Sequence, residues 1–98
     1  MTPEEELVRA GKAREILTEP LFKESVSVIR EALIEGIRRS AFTEEKLREK
    51  LCQRLALLED LVVQLQTVME TGKLAEETIR QKTISERIRL VGLSLIHI

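Results

Sequence analysis

The stretch from Thr43 to Gly72 constrains the fold more than any other part of this chain. Leu47, Leu51, Leu55, Leu58, Val62, Leu65 and Met69 recur at steps of four and three, the spacing of one face of an α-helix. Leu57, Leu61 and Val68 form a second row beside the first. An apolar stripe this broad calls for at least two packing partners, from the same chain or from another copy. Thr43 is placed to cap the start, with Glu44 and Glu45 in the first turn, where the helix dipole favours acidic groups. Gly72 reads as the C′ residue that ends the helix. The predicted helix of about 28 residues would be roughly 42 Å long.

Two more helices are predicted upstream. Thr2, Pro3 and Glu5 make a capping box with proline at the first helical position, and the first helix extends to about Leu17. Thr18-Glu19-Pro20 interrupts it, because proline disfavours a helical residue before it and suits the first position of the next helix. That second helix extends from about Pro20 to Arg39, with Phe22, Val26, Ile29, Leu33 and Ile37 on one face. The short Ser40-Ala41-Phe42 connection forces an antiparallel hairpin with the third helix, and Phe42 is expected to plug its end. The third helix outruns the second, so the apolar Leu61–Met69 segment needs cover from elsewhere. A fourth helix is expected from Leu74 to about Val91, with a thinner stripe that slips phase near Lys82. The expectation is an all-α fold: a helical hairpin with flanking terminal helices, residues 1–92 forming one domain.

Composition narrows the function classes. The chain has 98 residues, 16 basic against 17 acidic, which gives no global pull towards nucleic acid or anionic lipid. It has two Phe and no Tyr or Trp, so aliphatic side chains and alanine must fill whatever core exists. A single cysteine, Cys52, forbids an intrachain disulfide, and its place beside Leu51 predicts a small, half-buried side chain. One cysteine and one histidine cannot build a metal shell, no Gly-rich phosphate loop is present, and no Ser or Cys has a histidine base. Most carboxylates sit at ion-pair spacing from a base, as in Glu44–Arg48, Glu35–Arg39 and Glu76–Arg80. Glu59-Asp60 is expected to be an exposed acidic strip. No cofactor is expected, and an enzyme is the least favoured class. The acidic N-terminus lacks a signal-peptide pattern, and no apolar run approaches the roughly 20 residues of a spanning helix. The expected setting is the cytoplasm or a particle assembled there.

Two surfaces are candidates for recognition. Leu58, Leu61, Val62, Leu65, Val68 and Met69 form the candidate oligomer or partner interface. Arg38, Arg39, Lys46, Arg48, Lys50 and Arg54 cluster around the hairpin turn as a candidate basic patch. Glu44, Glu45 and Glu49 are interleaved with these bases, and no aromatic side chain is available for base stacking, which ranks nucleic acid second among partners.

Three segments carry a family resemblance: KAREILTEPLFKESVSVIREALIE, then SAFTEEKLREKLCQRL, then METGKLAEETI. In this order they resemble a group of small helical proteins of tailed bacteriophages and prophages. The resemblance spans about residues 7–80. It implies an accessory role in virion assembly or packaging, in the bacterial cytoplasm or on the virion, and supplies no functional residues. The runners-up are a nucleic-acid-associated packaging factor, similar to a small terminase subunit, and a small regulator that binds a host protein. The final Leu93-Ser-Leu-Ile-His-Ile98 is similar to the in-frame translation of a transposon-end sequencing adapter. Residues 93–98 are therefore expected to be a non-native tail, which leaves the true C-terminus unknown and removes His97 from consideration.

Overall fold

A computed structural model of the chain describes the backbone of residues 1–96 and the side chains of residues 1–91. It contains three helices: α1 (Pro3–Thr18), α2 (Pro20–Arg39) and α3 (Glu45–Ile96). No strand occurs among the described residues, and the fold is all-α.

Local chemistry sets the first two helices. Thr2 has extended backbone, and its hydroxyl oxygen accepts from the Glu5 N–H at 3.1 Å, while Pro3 opens α1 and Glu4, Glu5 and Glu6 fill its first turn. Glu19 ends one helix and starts the next. With φ −67° and ψ 125° it leaves the helical region, its N–H donates to the Ile16 carbonyl at 3.3 Å, and its carboxylate accepts from the Phe22 N–H at 2.6 Å. Pro20 follows at the first position of α2. Ser40 closes α2: its N–H donates to Gly36 and Ile37, and its hydroxyl donates to the Ile37 carbonyl at 2.6 Å.

The turn into α3 departs from expectation at two residues. Thr43 is not the cap. The Glu44 carbonyl accepts the first helical bond, from Arg48 at 3.1 Å, and the Glu44 carboxylate folds back to accept from the Ala41 N–H at 3.0 Å. Phe42 does not plug the hairpin. It lies 87% exposed in the turn that the Glu44 N–H closes by donating to the Ala41 carbonyl, outside the contact between the two helices.

The largest correction concerns Gly72. It ends nothing: α3 continues through it as one helix of 52 residues, and the separate fourth helix from Leu74 to Val91 is the second half of α3. Among the described residues no glycine has positive φ, so the left-handed geometry of a C′ glycine does not occur at Gly72. Gly72 instead lies where α1 crosses α3. A Cβ built there would stand 2.0 Å from the Ala10 Cβ. Ala10, Ala13 and Ala75 are the buried hydrophobic side chains among the described residues, and Gly72 is buried with them. Residues without bulk let the two backbones approach closely, so side-chain volume is small where packing is tightest. The threonines along α3 turn their hydroxyls into the helix: Thr67, Thr71, Thr78 and Thr83 each donate to the carbonyl four residues earlier.

Together α1 and α2 form a broken antiparallel partner for α3. α2 returns along its first half, where a Cβ on Gly36 would lie 3.2 Å from Leu51 and Arg30 reaches Glu59. α1 continues along the middle, past Val68, Thr71 and Gly72. The cover that Leu61–Met69 needs beyond α2 thus comes partly from α1. Past Ile79, α3 projects alone, and every described side chain from Arg80 to Val91 is exposed. The molecule is a rod of 83 × 25 × 19 Å. None of its helices, over the described residues, is long and apolar enough to cross a membrane.

Candidate interaction surface

The first apolar row of α3 packs within the chain. Leu51, Leu55, Leu58, Val62, Leu65 and Met69 are all half-buried, whereas Leu47 at the hairpin end is exposed. Val62 and Met69 meet Leu17, Phe22 and Val26 in the cleft where α1 gives way to α2. The second row faces elsewhere. Leu57 is 70% exposed and Leu61 50% exposed, and Val68 is half-buried near α1.

Leu57 and Leu61 belong to an open groove of 880 Å³ between α2 and α3. Ile29, 49% exposed, and Leu33 form its α2 wall, and Arg54, Leu58, Asp60 and Gln64 complete the α3 side. The helical period explains the arrangement. Residues 58, 62, 65 and 69 point at α2 and α1, while 57, 61, 64 and 68 lie roughly a quarter turn away. Of the six interface candidates, Leu61 is therefore the one most open to a partner, while Leu58, Val62, Leu65, Val68 and Met69 are divided between that face and the chain's own packing. Sequence reading passed over Ile29 and Leu33 for this surface because it assigned both to the intrachain face of α2.

The basic candidates do not form one field. Arg38 and Arg39 both turn to Glu35, at 3.5 and 2.7 Å. Lys46, Lys50 and Arg54 are exposed and Arg48 half-buried, and none has an ion pair within the described residues. Glu44 is occupied by the Ala41 N–H rather than by Arg48.

The acidic strip is half engaged. Glu59 accepts from the Arg30 Nε at 2.5 Å across the α2–α3 contact, a pair separated by 29 positions that helical spacing cannot reveal. That hydrogen bond raises the Arg30 guanidinium further above its ordinary value; burial opposes the shift and the Glu59 charge adds to it. Asp60 stays exposed at the groove rim. On the projecting part of α3, Arg80 pairs with Glu77 rather than with Glu76. Hydrogen bonds from Gln81 and then Arg80 hold the Glu77 carboxyl below its ordinary range.

Cys52 is exposed, not half-buried, because one residue beyond Leu51 the α3 surface has turned past the edge of α2. No group of three or more His, Cys, Asp or Glu among the described residues is arranged to hold a metal ion. His97 and the side chains of 93–98 lie outside the described residues. Comparison with known proteins finds no matching family model, curated protein or solved structure.

Proposed function

We propose that this chain is a non-enzymatic helical interaction module that acts as an oligomer, joining copies of itself or a phage protein through the α2–α3 groove. The observation that carries the reading is the groove itself: Leu57, Leu61 and Ile29 stand open to solvent beside half-buried Leu33, on a chain whose buried hydrophobic side chains, among the described residues, are alanines. A chain of 98 residues has little apolar burial to spare. A contiguous apolar face of this kind on so thin a rod is the ordinary mark of a protein contact. Following the resemblance to small tailed-phage proteins, the proposed role is an accessory in virion assembly or DNA packaging, in the bacterial cytoplasm or on the virion. Residues 1–92 form the module and 93–98 a non-native tail.

The test is light scattering with circular dichroism on Leu61→Glu and Leu65→Glu. Leu61→Glu places a carboxylate in the open groove and should dissolve the oligomer while preserving helicity, because a charge in an apolar interface is costly. Leu65 is half-buried within the chain, so Leu65→Glu should lower folding stability as well. A wild-type chain that is monomeric at tens of micromolar defeats the self-association reading.

The second reading is a nucleic-acid-associated packaging factor similar to a small terminase subunit. It is favoured by Lys46, Arg48, Lys50 and Arg54, which have no intrachain ion pair among the described residues. Micromolar or tighter binding to duplex DNA at physiological salt, with a steep salt dependence, would put that reading first.

A further inference from the structure

Four of the six α3 residues that line the groove form a row with an internal symmetry, which Leu58 and Asp60 flank without sharing. Arg54, Leu57, Leu61 and Gln64 follow one another at steps of three, four and three, and all four line the groove. The spacing is the same read in either direction, and so is the order: polar, leucine, leucine, polar. An antiparallel two-fold pairing turns such a row onto itself, with leucine against leucine and polar side chain against polar side chain.

We propose that two copies dock α3 against α3 in antiparallel orientation, about a two-fold axis level with Glu59. The proposal rests on the self-association reading above and specifies its geometry. In this register Leu57 of one copy meets Leu61 of the other, and the symmetric contact repeats it. One layer further out, Arg54 meets Gln64 of the second copy on both sides. The guanidinium has only donors to offer, and the amide oxygen of glutamine accepts. Ile29 and Leu33 wall the leucine layer from the α2 side, so each copy covers the groove of the other.

Charge selects the orientation. A parallel pair would set each residue against its own copy, stacking Arg54 on Arg54 beside the leucines. A buried like-charge contact opposes that arrangement. The antiparallel pair separates the two guanidinium groups by the length of the leucine layer and gives each an acceptor. Arg54 is available for this role: it is exposed and makes no ion pair among the described residues. The one opposing feature is Asp60, which this register sets opposite Leu58 of the second copy and near its own counterpart. Asp60 lies at the outer rim of the groove, where salt screens such repulsion.

Sedimentation equilibrium on the full chain and its Gln64→Glu variant tests the geometry by the sign of one change. In the antiparallel register the introduced carboxylate faces Arg54 of the second copy, and the two-fold axis makes this contact twice, so the dimer dissociation constant should fall several-fold at low salt. The gain should disappear in an Arg54→Gln background. Far-ultraviolet circular dichroism of both variants checks that the helices are intact. A dimeric wild type whose association is weakened or unaltered by Gln64→Glu overturns the antiparallel register and leaves self-association standing. A wild type that sediments as a monomer overturns self-association itself.

Discussion

At the scale of single residues, two glycines of the same chain carry opposite predictions. Gly72 sits against Ala10 with no room for a methyl group, and the atoms it would meet are a side chain and backbone of a packed helix. Gly72→Ala gains about 1 kcal/mol of helix propensity. Overpacking costs about 1–3 kcal/mol, and at a separation of 2.0 Å the upper part of that range applies. The variant should therefore melt several degrees lower by differential scanning calorimetry. Gly11 has nothing within 4 Å of its added Cβ, so Gly11→Ala keeps only the propensity gain and should melt higher. Glu77 supplies a pH signature. Its carboxyl titrates below the ordinary 4.5, held there by Gln81 and Arg80. A depressed carboxyl contributes stability that is complete above the unfolded value and is lost as pH falls through the folded one. Wild type and Glu77→Gln should thus differ in melting temperature at neutral pH and converge only as pH falls through the lowered carboxyl, below the ordinary 4.5.

At the scale of elements, the projecting end of α3 gives the cleanest prediction. From Arg80 to Val91 every side chain is exposed. Truncation after Gln81 retains the Glu77 contacts and should reduce the helical circular dichroism signal while moving the melting temperature by no more than a few degrees. A larger fall would mean that the removed segment, including 93–98, packs on the body. The elements also show what a sequence discloses. The bounds of α1 and α2 were legible because they are written in adjacent residues: Thr2-Pro3 at one start, Glu19-Pro20 at the next, Ser40 at the close. The course of α3 was not. A glycine can end a helix or admit a neighbour, and only the position of Ala10 on a distant helix decides between the two. The Arg30–Glu59 pair and the Ile29–Leu33 wall of the groove were hidden for the same reason: each depends on which turn of α2 meets which turn of α3. The Leu57–Leu61 row itself was visible, since it follows from the period of a single helix.

At the scale of the whole molecule, the chain is thin for its length, and most of its leucines are only partly covered. Stability should therefore depend on association, and the melting temperature should rise with protein concentration, as it does whenever a partner binds only the folded state. A melting temperature constant over a hundredfold dilution would mean that the single rod is stable by its own packing. The unbroken passage of α3 through Gly72 has a mechanical consequence. One continuous helix joins the groove at Leu61 to exposed Val91, a separation of about 45 Å at 1.5 Å per residue. The helix is then a strut that fixes both the distance and the bearing between the groove and the projecting segment. Each residue inserted between them would advance the far end by about 1.5 Å and rotate it by about 100°. Seven added residues would lengthen the strut and nearly preserve its bearing, whereas two would turn the far end to the opposite side.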